Sequence, residues 1–96
     1  MKLVEVVASK TPGKKWTAVF SNKDGRTKRV SFGAAGMDDY TITHDREQRD
    51  RYRARHAKDL RTGDPTRAGF LSYYLLWGDS TNLSVNIANY KKKYNL

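Results

Sequence analysis

Hydrophobic and polar positions alternate with a period of two through the first third of the chain. Leu3–Ala8 (LVEVVA) is rich in β-branched residues and runs into a Thr-Pro-Gly turn at 11–13. Trp16, Ala18 and Phe20 then share one face, with Thr17 on the other. Asn22-Lys-Asp-Gly25 is a hairpin signal, because Gly25 can adopt the positive φ such a turn requires. On the return, Arg26–Phe32 puts Lys28, Val30 and Phe32 on one face and Arg29 and Ser31 on the other. This pattern predicts a three-stranded antiparallel meander over 1–33 with one face buried. Such a sheet needs helices over that face to be stable.

Beyond residue 33 the period lengthens. Gly33–Tyr40, with two glycines and adjacent acids, reads as an ordered loop, and Asp45–Leu60 as a helix free of Gly and Pro. Thr43 or Asp45 can cap that helix, and its apolar seam is Tyr52, His56 and Leu60. Arg61–Asp64 breaks it. Asp64-Pro65 restarts a second helix, Pro65–Trp77, apolar nearly all round and so expected at the centre of the core. Gly78 ends it. Ser80 or Thr81 caps a third helix, whose stripe is Leu83, Ile87, Tyr90 and Tyr94 and whose last turn carries Lys91–Lys93. The expectation is one α+β domain over 1–96, a β-meander (1–33) followed by a loop and three α-helices packed on one face (34–96).

Composition adds a charge problem. The 96 residues hold nineteen Lys and Arg against ten Asp and Glu, a net +9 with a pI near 10.0. A surface of this kind attracts anions: nucleic acid, an acidic protein face or a charged membrane surface. The absence of cysteine excludes disulfides, thiolate metal sites and thiol nucleophiles. The longest apolar run, Phe70–Trp77, falls far short of the roughly 20 residues that span a bilayer, and Glu5 interrupts the apolar N-terminus as a signal peptide. A soluble intracellular protein with no membrane span is therefore expected.

The charge is concentrated. Residues 45–61 alone carry seven basic groups, whereas 62–79 carry one. Arg46, Arg49, Arg51, Arg53, Arg55, Lys58 and Arg61, together with Lys91, Lys92 and Lys93, are the candidate partner-binding residues. Guanidinium groups bind phosphate and carboxylate bidentately, although the same helix could be a solvated face laced with pairs to Glu47, Asp50 and Asp59. The aromatic run Tyr73, Tyr74 and Trp77 could stack on bases, but its interleaved leucines assign it to the core. Gly33–Gly36 follows a strand without either phosphate-loop pattern, and reads as a turn. His44, His56, Asp38, Asp39 and Asp45 lack the spacing of a metal or hydrolytic site, so no catalytic, metal or cofactor residues are assigned and no cofactor is expected.

The segment Phe32-Gly-Ala-Ala-Gly-Met-Asp-Asp-Tyr-Thr-Ile-Thr-His-Asp45 resembles a family of short basic proteins encoded by nucleocytoplasmic large DNA viruses, also found in algal sequences. Shared features are Phe32–Ala34 with Gly36, Asp39–Thr41, His44-Asp45, Tyr52 and Arg55-His56. A second block comprises Asp64-Pro65, Ala68–Phe70 and Leu75–Trp77. Two residues, Ile42 and Thr43, separate Thr41 from His44 where that family has one, so no role for His44 is carried over. The resemblance spans about residues 30–78 and implies context rather than chemistry. It points to a non-enzymatic structural protein of the virion, a minor capsid or cement-type component, present in the host cytoplasm or nucleus during assembly. Its partners would be acidic faces of larger capsid proteins; the alternative is a sequence-nonspecific binder of DNA or RNA backbone. Neither reading calls for a small-molecule substrate.

Overall fold

The computed structural model describes residues 1–96. Three strands, β1 (Lys2–Ala8), β2 (Lys14–Ser21) and β3 (Thr27–Ala34), form an antiparallel sheet in the order β1-β2-β3. The register sets Trp16, Ala18 and Phe20 opposite Phe32, Val30 and Lys28, as the alternation requires. On β1 the register shifts between Leu3 and Glu5, so Leu3 pairs with Phe20 and Val6 with Ala18. This irregularity keeps both Leu3 and Val6 on the inner face and leaves Val4 58% exposed. Strict alternation over Leu3–Ala8 cannot do that.

Helices cover the inner face. The α+β class and the meander are as expected, but the helical half is built from more pieces than three. The predicted loop runs directly into a short helix, α1 (Tyr40–Thr43), whose cap is Asp39: its Oδ1 accepts from the Thr41 N–H. Helix α2 (Arg46–His56) follows, capped by Asp45, whose carboxylate accepts from the Gln48 N–H at 3.1 Å. It stops four residues before Leu60, tightening into a 3₁₀ turn over Ala57–Thr62. The helix expected from Pro65 begins only at Ala68. Asp64 instead closes a turn through the Thr66 N–H and hydroxyl, and the extended Arg67 (ψ 149°) separates that turn from α3 (Ala68–Leu71). From Ser72 to Leu76 the coil widens to a π-helix, ending with the Trp77 N–H on the Ser72 carbonyl at 3.1 Å. Helix α4 (Leu83–Tyr94) is capped by Asn82, not by Ser80 or Thr81; Asn82 Oδ1 accepts from the Val85 N–H.

The core joins Leu3, Ala18, Phe20 and Phe32 of the sheet to Tyr40, Phe70, Leu71, Leu75, Leu76, Trp77 and Tyr90. Tyr73 and Tyr74 are only half-buried, so the central segment is not apolar on every side. Buried Asn86 fastens α4 to the end of the π-helix: its amide donates to the Leu75 and Ser80 carbonyls, and its oxygen accepts from the Ser80 N–H. At Gly78 a Cβ would lie 2.2 Å from the Tyr74 carbonyl oxygen, so only glycine allows this close passage. No helix is long and apolar enough to cross a membrane.

Candidate anion-binding site on the arginine-rich helix

Helix α2 is held from below by a column of rings. Trp77 stacks on Tyr52 (centroids 4.3 Å apart, planes at 8°), and Tyr52 on His56 at 4.1 Å. The i, i+4 spacing of Tyr52 and His56 places them on the face that meets Trp77. Leu60, the third member of the predicted seam, lies in the 3₁₀ turn and still packs on the core. His56 Nδ1 lies 3.0 Å from Asp59 Oδ2, and burial pushes the Tyr52 phenol above its usual pKa.

Two of the expected partner-binding residues turn inward. Arg49 lies over the Tyr40 ring at 4.9 Å and donates from Nε and Nη2 to Asp50. Its side chain is only 10% exposed. Arg53 donates from Nε to the Trp77 carbonyl at 2.7 Å and from Nη2 to Asp79 Oδ1 at 2.9 Å, with Tyr73 5.8 Å away. The Arg53 hydrogen bond holds the Asp79 carboxyl below the ordinary carboxylate range. Geometry explains the pairing: residues 49, 52, 53 and 56 fall on one side of an α-helix, the side facing the core. Arg53 thus fastens α2 to the turn after the π-helix, and Arg49 packs it on Tyr40 of α1.

The others point away. Arg46, Arg51 and Arg55 are exposed on α2, as are Lys58 and Arg61 on the 3₁₀ turn, and none forms an ion pair. Arg51 and Arg55 stand one turn apart, Arg51 on the side away from the core and Arg55 on the flank toward the Gly33–Asp39 loop. Lys91, Lys92 and Lys93 are exposed in the last turn of α4. Only Lys93 approaches the α2 set, sharing a 250 Å³ polar cleft with Arg53, Tyr73 and Asp79. Its ammonium sits 5.8 and 5.7 Å from the Tyr74 and Tyr94 rings.

A second and larger cleft, about 510 Å³, opens between α2 and the Gly33–Asp39 loop, and sequence reasoning missed it. Lys15, Met37, Asp38, Gln48, Arg55 and His56 line it, over a floor that includes Tyr52, Leu76 and Trp77. Buried Asp39 accepts from Lys15 Nζ at 2.5 Å, fixing the loop to β2. Gly33, at φ +80°, lets the chain leave β3 against Leu76, where a Cβ would come within 2.8 Å. The signal available in the sequence was the Gly33–Gly36 pair followed by Asp38-Asp39, which marks a shaped loop but not what it faces. Of the discounted candidates, His44 is exposed and ends α1 in the left-handed region (φ 58°). No three His, Asp or Glu side chains gather as a metal site would require.

No curated protein and no solved structure matches the chain. A family model does match, over residues 4–56, more than half of the chain. The matched span runs from β1 to the last residue of α2 and contains every lining residue of the larger cleft except Ser72, Leu76 and Trp77. The sheet, the glycine loop and the arginine-rich helix are thus the part held in common, and the chain belongs to DUF5754, a family of unknown function.

Proposed function

We propose that the protein is a non-enzymatic binding module that docks through the outward cations of α2 and its 3₁₀ extension onto an acidic face of a larger protein. One observation carries the reading. Arg46, Arg51, Arg55, Lys58 and Arg61 stay exposed and unpaired on an element that Arg49, Arg53 and the ring column hold rigid beneath them. A guanidinium on a fixed backbone loses less freedom when it binds, so each contact retains more of its energy.

A protein partner is favoured by what lies beside the cations. Met37 (65% exposed) and Ile42 (59%) flank the start of α2, and the mixture of Arg, Met and aliphatic surface is characteristic of protein interfaces. The resemblance to short proteins of large DNA viruses gives the proposal its concrete form, a minor capsid or cement-type component of the virion. That setting rests on the resemblance alone. The alternative, sequence-nonspecific binding of a DNA or RNA backbone, draws support from the second exposed cation group at Lys91–Lys93.

Fluorescence anisotropy with duplex DNA at about 50, 150 and 300 mM salt separates the two. Docking on protein predicts only the generic attraction of a +9 chain, micromolar or weaker near physiological salt. Nanomolar binding that survives at about 150 mM, with a log–log slope of several units, overturns it in favour of nucleic acid. For the virion form, retention in empty particles supports cement, and loss with the genome contradicts it.

A further inference from the structure

The sheet has an outer face that docking through α2 does not use. Residues 1–34 hold eight Lys and Arg against two acids, Glu5 and Asp24, whereas residues 45–61 hold seven against four. The meander is thus the more cationic segment. Three of its cations are engaged: Lys15 with Asp39, Arg26 with Asp24, and Lys28 with the Thr66 hydroxyl. Lys2, Lys10, Lys14, Lys23 and Arg29 are exposed and form no ion pair.

The register places them. With Trp16, Ala18 and Phe20 turned to the helices, Thr17, Val19 and Ser21 face outward. Their cross-strand partners follow: Val7 and Ser31 beside Thr17, Glu5 and Arg29 beside Val19, Lys2 and Thr27 beside Ser21. Thr17 and Val19 are only 8% and 6% exposed although the helices lie on the other side, because these flanking side chains enclose them. The Ser31 hydroxyl meets those of Ser9, Thr11 and Thr17 at 3.5, 3.3 and 3.1 Å. That cluster ties the β1–β2 turn, with Lys10 and Lys14, to β3; Lys23 sits at the opposite turn. The result is a firm strip, roughly 25 Å long over the eight residues of β2, with aliphatic and hydroxyl groups in the middle and cations around them. Glu5 is its one acid.

That composition selects the occupant. A second copy of this chain carries the same charge and is repelled. A nucleic-acid groove is read by Arg, Asn or Gln forks, and the middle of this face has none. A small uncharged centre ringed by cations matches the core and rim of a protein interface, and the charge calls for acids opposite. The sheet lies between this face and the helical layer that holds α2, so a partner here does not compete with one on α2. We propose, building on the docking reading above, that the outer sheet face is a second docking surface for an acidic protein face, and that the protein thereby bridges two partner molecules. The sheet is the weaker of the two surfaces, since four of its five free cations are lysines, point charges on flexible stems in place of guanidinium forks.

Pentaglutamate at low salt is the probe, followed by amide NMR shifts of the whole chain. Its residues reach at most about 18 Å, less than the smallest extent of the molecule, 23 Å, so one peptide cannot lie on both surfaces. Two saturable sets of shifts are expected, one at Thr17, Val19, Arg29 and Ser31 and one at Arg51, Arg55 and Lys58, the first about tenfold weaker. Lys2→Gln/Arg29→Gln should weaken the sheet set about tenfold and leave the α2 set within about twofold. Arg51→Gln/Arg55→Gln, which removes the same charge, should do the reverse. All four side chains are exposed, and thermal melting checks that both variants keep the parent fold. Beads coated with polyglutamate should be agglutinated by the parent and by neither variant. Shifts on α2 alone overturn the bridge and leave the docking reading intact, whereas shifts on the sheet alone overturn the docking reading and the bridge with it. Equal weakening of both sets by either variant also overturns the bridge, because only net charge is then at work. So does duplex DNA that binds the sheet set more tightly than the peptide, which assigns this face to nucleic acid.

Discussion

Arg49 and Arg53 are one helical turn apart on α2, and so are Arg51 and Arg55, yet the two pairs do opposite work. The first pair is spent inside the molecule. Arg49 lies over Tyr40, and Arg53 closes onto the Trp77 carbonyl and Asp79. The second pair faces outward with no protein partner. What separates them is the side of the helix, fixed by Tyr52 stacking between Trp77 and His56. A dense run of arginine thus combines fold and surface in one element. Charge density alone does not distinguish them; position relative to the aromatic seam does.

The strongest way to break this contrast is to remove what orients the helix. Trp77 is 7% exposed and is the base of the ring column, so Trp77→Ala should cost about 3–5 kcal/mol by thermal or chemical unfolding. Against a total of about 5–15 kcal/mol, that leaves the domain marginal. A variant melting with the parent would mean that α2 is not anchored there.

Next comes the inward pair. Arg53→Gln removes a charge-assisted bond to a buried carbonyl and the pairing to Asp79, and should destabilise by about 1.5–3 kcal/mol. Arg53→Lys should recover little, because the lysine ammonium carries its donors on a single nitrogen and lacks the planar fork that reaches the Trp77 carbonyl and Asp79 from two. The pair also has a pH signature. The folded Asp79 carboxyl lies below its unfolded value, so its stabilisation is present above about pH 4 and is lost as pH falls through the lower folded pKa. Acid titrations of stability should therefore run shallower in Arg53→Gln than in the parent.

A related effect acts at the other end of the pH scale. Burial raises the Tyr90 and Tyr94 phenols far above the ordinary tyrosine value, and the Tyr90 hydroxyl donates to the Pro65 carbonyl. Their folded pKa values exceed the unfolded one, so the stability they contribute is complete below about pH 10 and is lost as pH rises beyond it. Tyr90→Phe should cost about 1–2 kcal/mol at neutral pH and blunt the alkaline transition. The smallest effect belongs to the outward pair: Arg51→Gln and Arg55→Gln should each stay within about 0.5 kcal/mol of the parent.

The sheet was legible because its information is local. Alternation at Trp16, Ala18 and Phe20, and a glycine turn at Gly25, define both strands and register. The bulge on β1 was hidden, since Leu3 and Val6 share a face only once Val4 is displaced. The helical half was legible in order but not in detail. Asp64-Pro65 signalled a helix start, yet Thr66 captures the Asp64 carboxylate in a turn and the helix waits until Ala68. The π-helix has no local signature; it follows from fitting Leu75, Leu76 and Trp77 into the core together. At the site, the cationic helix was evident, but the inward turn of Arg49 and Arg53 depends on Tyr40, Trp77 and Asp79, residues up to 26 positions away. The larger cleft requires the glycine loop and α2 to meet, which no spacing within either segment records.

The contrast between the two arginine pairs is tested most directly by measuring stability and binding together, using soluble polyglutamate at low salt as the acidic partner. The variants are Arg51→Gln/Arg55→Gln/Lys58→Gln and Arg49→Gln/Arg53→Gln. The account predicts that the outward triple variant keeps Tm within roughly 1–2 °C of the parent and loses most of its binding. The inward double variant should lose several degrees and, at a temperature where it remains folded, keep most of its binding. An inward variant that loses binding without losing stability, or an outward one that melts early and still binds, would contradict it.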